Sequence, residues 1–175
     1  MVSLLASFRP GGRFLAKSDS MTVLQGAAMA EITRIDEARC VSLVRVLVVD
    51  DFEPFRRFLC STLAKRQDLQ VICEVSDGLR AVQKAQELKP DLILLAIGLP
   101  TLDGFATARQ IRKLAPESKI IFVSIESSPD LLQEALSVGA LGYVSKTRAG
   151  SDLLPAVDAV LEGNQFVSSG LAGQP

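Results

Sequence analysis

The sequence predicts an α/β fold, a (βα)5 three-layer sandwich around a parallel sheet. Two observations carry that prediction, and a third supports it. Five short, branched apolar runs recur between residues 44 and 145. Segments with apolar residues at helical spacing fill the gaps between them. Proline or glycine marks most of the junctions.

The first run, Val44–Val49, is continuously apolar, as a strand buried on both faces of a parallel sheet should be. Between Pro54 and Arg66, residues Phe55, Phe58, Leu59, Thr62 and Leu63 line one helical face. The second run, Gln70–Val75, is interrupted by Glu74, which suits an edge strand. Leu79, Val82, Ala85 and Leu88 make the second helix, stopped by Lys89-Pro90. The third run is Leu92–Ala96, and Phe105, Ala108, Ile111 and Leu114 form the helix after it, ended by Pro116. The fourth run, Ile120–Ser124, precedes a helix carrying Leu131, Leu132, Ala135, Leu136 and Val138, ended by Gly139. The fifth run is Leu141–Ser145. A last helix is expected over Asp152–Leu161, with Ser151 as N-cap, Gly163 as C-cap and Pro155 in its first turn.

Composition narrows the function. The chain has 175 residues, enough for one domain with an appendage. Lys+Arg is 19 and Asp+Glu 20, a net charge of −1, which argues against a globally basic nucleic-acid binder. With 48% hydrophobic residues the chain has material for a core. It has no histidine, so it is neither a phosphohistidine donor nor a His-ligated metal protein. Three cysteines without a CxxC pattern suggest reduced thiols and a cytoplasmic setting. Cys60 and Cys73 read as small core hydrophobes, and Cys40 lies outside the core. No run reaches the ~18–20 apolar residues of a membrane helix, so no membrane association is expected. Residues 1–43 read as an N-terminal extension, mobile or partly helical, with a weak helical pattern from about Met21 to Ala38; 44–166 as the domain; 167–175 as a C-terminal tail.

In a parallel sheet the working site lies beyond the carboxyl ends of the strands. The first strand ends in Asp50-Asp51, two adjacent carboxylates that repel each other. A hard divalent cation would justify both, whereas helix capping would use only one. The fourth strand ends in the hydroxyl of Ser124, and Lys146 follows the fifth. A hydroxyl and an ammonium converging there suit a phosphoryl group. The third strand ends in Ala96, which has no chemistry.

Residues 44–166, 123 of the 175, resemble the receiver domain of two-component response regulators. The resemblance rests on VRVLVVDDFEPFR, PDLILLAIGLPTLDG, IIFVSIESS and ALGYVSK, in order and correctly spaced. The segment SDLLPAVDAVLEGNQF is similar to receivers of the LuxR/NarL-like type, which usually precede a helix-turn-helix DNA-binding domain. Only nine residues follow Phe166 here, so no nucleic-acid contact is expected from this chain alone. The resemblance implies a flavodoxin-like sheet of order 2-1-3-4-5. It implies a Mg²⁺ site of Asp50, Asp51 and the backbone carbonyl of Gly98, with Ser124 as switch hydroxyl, Lys146 as phosphate-binding lysine and Tyr143 as switch aromatic. The family's phosphoacceptor aspartate falls on Ala96, and Thr147 stands where many receivers have proline.

A methyl group is no nucleophile, so Ala96 should remove the covalent step and weaken Mg²⁺ binding. Lys146, without its usual partner, could pair with Asp50 or Asp51. The chain is then a degenerate receiver acting through contacts, a non-phosphorylatable variant or fragment of an ordinary phospho-accepting regulator, or a receiver whose sequence carries an error. The expected partners are a sensor histidine kinase or another signalling protein, or a second copy through the face of helix 4, strand 5 and helix 5. A plainer reading of Tyr143 is an aromatic packed on an edge strand with its hydroxyl in water. From another class, a small Mg²⁺-dependent phosphohydrolase would also use Asp50 and Asp51. Its haloacid-dehalogenase form needs the acids two apart, and here they are adjacent. A nucleotide or flavin binder would want a glycine-rich loop after the first strand, where Asp50-Asp51-Phe52-Glu53-Pro54 is acidic.

Overall fold

Each of the five apolar runs is a strand in the computed structural model, which describes residues 43–126 and 128–169. The expected N-terminal extension, apart from Leu43, and the last six residues of the tail lie outside the described residues. The elements alternate: β1 Val44–Val49, α1 Glu53–Leu63, β2 Leu69–Val75, α2 Gly78–Leu88, β3 Leu92–Ala96, α3 Gly104–Leu114, β4 Lys119–Ser124, α4 Pro129–Ser137, β5 Gly142–Ser145 and α5 Ala149–Leu161. All strands pair in parallel, in the order β2-β1-β3-β4-β5-β6. The expected order 2-1-3-4-5 is present, and a sixth strand, β6 Phe166–Val167, extends it.

Strand periodicity divides the core into two layers. Leu47, Val49, Ile93, Leu95, Phe122 and Tyr143 face α2, α3 and α4, meeting Ala81, Ala85, Phe105, Ala108, Ile111 and Ala135. Val46, Val48, Leu94, Ile121, Val123 and Val144 face α1 and α5, meeting Leu59, Leu63, Leu153, Val157 and Val160. Both faces of the sheet are thus covered, which is why the central strands read as unbroken apolar runs. Glu74 is exposed on β2, the edge strand, as its charge requires.

Local chemistry sets the helix ends. Asp77 caps α2 by accepting the Arg80 N–H, Asp103 caps α3 through Ala106, and Ser128 caps α4 through Leu131. Gly139 and Gly163, with φ of 85° and 88°, turn the chain out of α4 and α5.

The start of α5 differs from expectation. A 3-10 turn, Lys146–Arg148, runs directly into the helix, which begins at Ala149 and not at Asp152. Ser151 therefore lies inside the helix; its hydroxyl donates to the Arg148 carbonyl and the Asp152 carboxylate and caps nothing. Pro155 falls in the second turn. The boundary placed after residue 166 falls within β6, and the packing continues to Ser168, which is fully buried.

Candidate functional site

The parallel sheet brings the ends of β1, β3, β4 and β5 to one edge. Asp50 leaves β1 fully buried, and its Oδ1 accepts the Phe52 N–H at 3.0 Å. Its Oδ2 lies 2.5 Å from the Lys146 ammonium, whose side chain is 15% exposed. The ammonium approaches off the hydrogen-bonding direction, so Oδ2 holds an ion pair with no well-aligned hydrogen bond. The same ammonium sits over the Phe55 ring, 4.7 Å from its centre, in a cation–π contact. Of the two acids Lys146 was expected to reach, the structure chooses Asp50.

Asp51 is exposed beside this pair. Ala96 ends β3 with 2% exposure, and Gly98 lies exposed in the loop beyond it. Among the described residues, no group of three or more His, Cys, Asp or Glu is placed to hold a metal. Of the acids at this edge, Asp50 is neutralised by Lys146, and the third strand offers a methyl group. Asp51 and a backbone carbonyl are a poor donor set for Mg²⁺, which binds through carboxylates in near-octahedral geometry. The residues present do not fit a tight Mg²⁺ site.

Ser124 and Tyr143 meet at Glu126. The Ser124 hydroxyl accepts the Glu126 N–H at 3.1 Å, and the Tyr143 hydroxyl donates to the Glu126 carbonyl at 2.9 Å. Tyr143 is fully buried, and burial pushes its phenol above the usual value, against a lowering hydrogen bond with Ser124. The plainer reading of Tyr143 is corrected: β5 is not the edge, because β6 pairs with it, and the hydroxyl is not in water.

A cleft of about 560 Å³ opens at this edge, lined by Asp51, Ala96, Gly98, Ser124, Glu126 and Lys146 among others. Three contributors had no distinct signal in the sequence. Phe55 reads as one more residue of an apolar stripe, Glu126 acts through its backbone, and Ser168 lies beyond the expected boundary. Ser168 accepts the Ser145 N–H at 3.1 Å, bracing the residue that precedes Lys146. Cys60 and Cys73 stand apart from the site. Both are half-buried and unpaired, and burial, then Glu74, pushes the Cys60 thiol up to about 11. That disfavours the reactive thiolate.

Among the described residues, no helix is long and apolar enough to cross a membrane. The family model for the response regulator receiver domain matches residues 46–158. The chain is similar to the transcriptional regulatory protein LiaR of Bacillus subtilis, 33% identical over 75% of this chain and 63% of that one. It is similar to the response regulator GacA of Pseudomonas viridiflava, 30% identical over 75% of this chain and 62% of that one. The match therefore spans less than two thirds of these relatives' length. A crystal structure of a LuxR-family two-component response regulator from Aurantimonas superposes with a TM-score of 0.71, 27% identical, covering 75% of this chain and 94% of that one.

Proposed function

The chain belongs to the response regulator receiver family, and we propose that it signals through protein contacts without phosphorylation at the end of β3. One observation carries this reading. In the cleft lined by Ser124 and Lys146, β3 contributes only the methyl group of Ala96, which has no oxygen to attack a phosphoryl group. Ala96 is taken as the replacement of the family's phosphoacceptor aspartate, and the motif PDLILLAIGLPTLDG around it supports that assignment.

On this reading the chain is not an enzyme. Lys146, which would hold a phosphoryl oxygen, instead holds Asp50. Asp50, Asp51 and the Gly98 carbonyl remain as the vestige of a Mg²⁺ site of low affinity. Ser124 and Tyr143 remain as the switch pair, with Tyr143 held inward on Glu126. The proposed partners are a sensor histidine kinase or another signalling protein, in a cytoplasmic setting. Self-association would use α4, β5 and α5, with β6 now forming that edge of the sheet.

The test is intact mass after incubation with acetyl phosphate and Mg²⁺, beside an Ala96→Asp variant. The variant should gain one phosphoryl group and the native chain none. Phosphorylation of the native chain would reveal another acceptor and overturn the proposal.

A further inference from the structure

The cleft over Ala96 has a character that a phosphoryl site would not need. Its floor is apolar, made by the buried Ala96 and Val123. Because β3 lies between β1 and β4, the loops after those two strands rise on either side of this floor. Each puts a large hydrophobic residue into water at the rim: Phe52 is 60% exposed and Ile125 71% exposed. Two such side chains flanking a concave apolar floor offer surface on which an apolar ligand body can be buried.

The charge of the cleft is also specific. Lys146 is matched by Asp50 at 2.5 Å. The two acids of the lining, Asp51 and Glu126, are exposed and have no ion-pair partner among the described residues. The cleft therefore combines an apolar floor, an exposed aromatic ring and a net negative rim. About 560 Å³ is the size of an ordinary small-molecule site.

We propose that this cleft binds a small organic cation, an amine with an aromatic or otherwise apolar body. The body lies on Ala96 and Val123 between Phe52 and Ile125, and the ammonium meets Asp51. Such a ligand bridges the loops after β1 and β4, and the second of these holds Glu126, on which Tyr143 is latched. The inference rests on the reading that Ala96 is not a phosphoacceptor, and it names the input that would replace phosphorylation.

The test is an NMR titration of the full chain with 2-phenylethylammonium. The neutral 2-phenylethanol and the anionic 3-phenylpropionate serve as controls of similar shape. Saturable amide shifts are expected at Phe52, Ile97 and Ile125, in the affinity order cation, neutral, anion. Asp51→Asn should weaken the cation about two- to fivefold without affecting the neutral probe. Phe52→Ala should weaken the cation to a similar extent, about two- to fivefold. Both side chains are exposed, so both variants should fold. Three results would overturn the proposal: no saturable shifts, equal binding of the anion, or displacement of the amine by stoichiometric Mg²⁺. The acetyl phosphate experiment is read separately. A chain that is phosphorylated yet binds the amine overturns only the earlier reading, and one that does neither overturns only this one.

Discussion

Lys146 reaches across from the end of β5 to Asp50 at the end of β1, closing to 2.5 Å over the Phe55 ring. The two residues directly follow strands that are separated in the sheet by β3 and β4. Lys146 also lines the cleft whose wall includes Ala96, so a carboxylate at the end of β3 would compete for the same ammonium.

Breaking this pair from one side should be costly. Lys146→Met leaves the fully buried Asp50 carboxylate uncompensated, and a loss of about 3 kcal/mol is expected in urea denaturation. The double variant Asp50→Asn/Lys146→Met should recover most of it. If the single variant costs less than about 1 kcal/mol, the pair is effectively solvated.

Tyr143 is the one tyrosine in a chain without tryptophan, so its absorbance reports a single site. Burial raises its ionisation above the ordinary 10.0. A raised folded-state value means that the folded chain keeps its proton to higher pH than the unfolded chain. The associated stability is complete below pH 10.0 and is lost as pH climbs through the folded value. Tyrosinate absorbance should therefore titrate above 10.0 in the native chain and return to about that value in denaturant. Identical midpoints would show that the phenol is not buried in the folded chain.

Ser168→Ala should leave the buried Ser145 N–H without its acceptor, at a cost of about 1–3 kcal/mol. Ser168 also lowers the ionisation of Asp152, after the larger effect of Ser151. Hydrogen exchange should quicken at Gly142–Ser145, the strand to which β6 is paired. Unchanged exchange there would mean that β6 does not brace β5.

Gly104→Ala tests the frame of the cleft. A Cβ at this position would lie 2.3 Å from the Ala96 carbonyl oxygen and 2.7 Å from the Ile97 Cα. Both obstacles are backbone, so β3 or α3 must shift. Thermal denaturation should show a loss of about 1–3 kcal/mol, and Gly98 amide signals should move. A native-like variant would place slack where the structure has none.

Strand by strand, the sheet was legible because its central strands are buried on both faces, which leaves unbroken apolar runs such as Leu92–Ala96. Glu74 betrayed the edge for the opposite reason. The start of α5 was not legible. Ser151 has the chemistry of a cap, but the preceding turn had already begun the helix, and local hydrogen bonding could not rank the two arrangements. β6 escaped notice because its two residues are too few to carry a period.

The sequence by itself determined the alternation of strands and helices, the family resemblance, and the acids, hydroxyl, lysine and alanine at the strand ends. These are statements about residue type and order along the chain. Tertiary structure alone decided that Lys146 takes Asp50 and leaves Asp51 in solvent, that Tyr143 turns inward to Glu126, and that β6 covers the edge of β5. Each of those outcomes is a choice among partners of similar chemistry. Distance and burial make the choice, and both arise only when strands far apart in sequence are laid side by side.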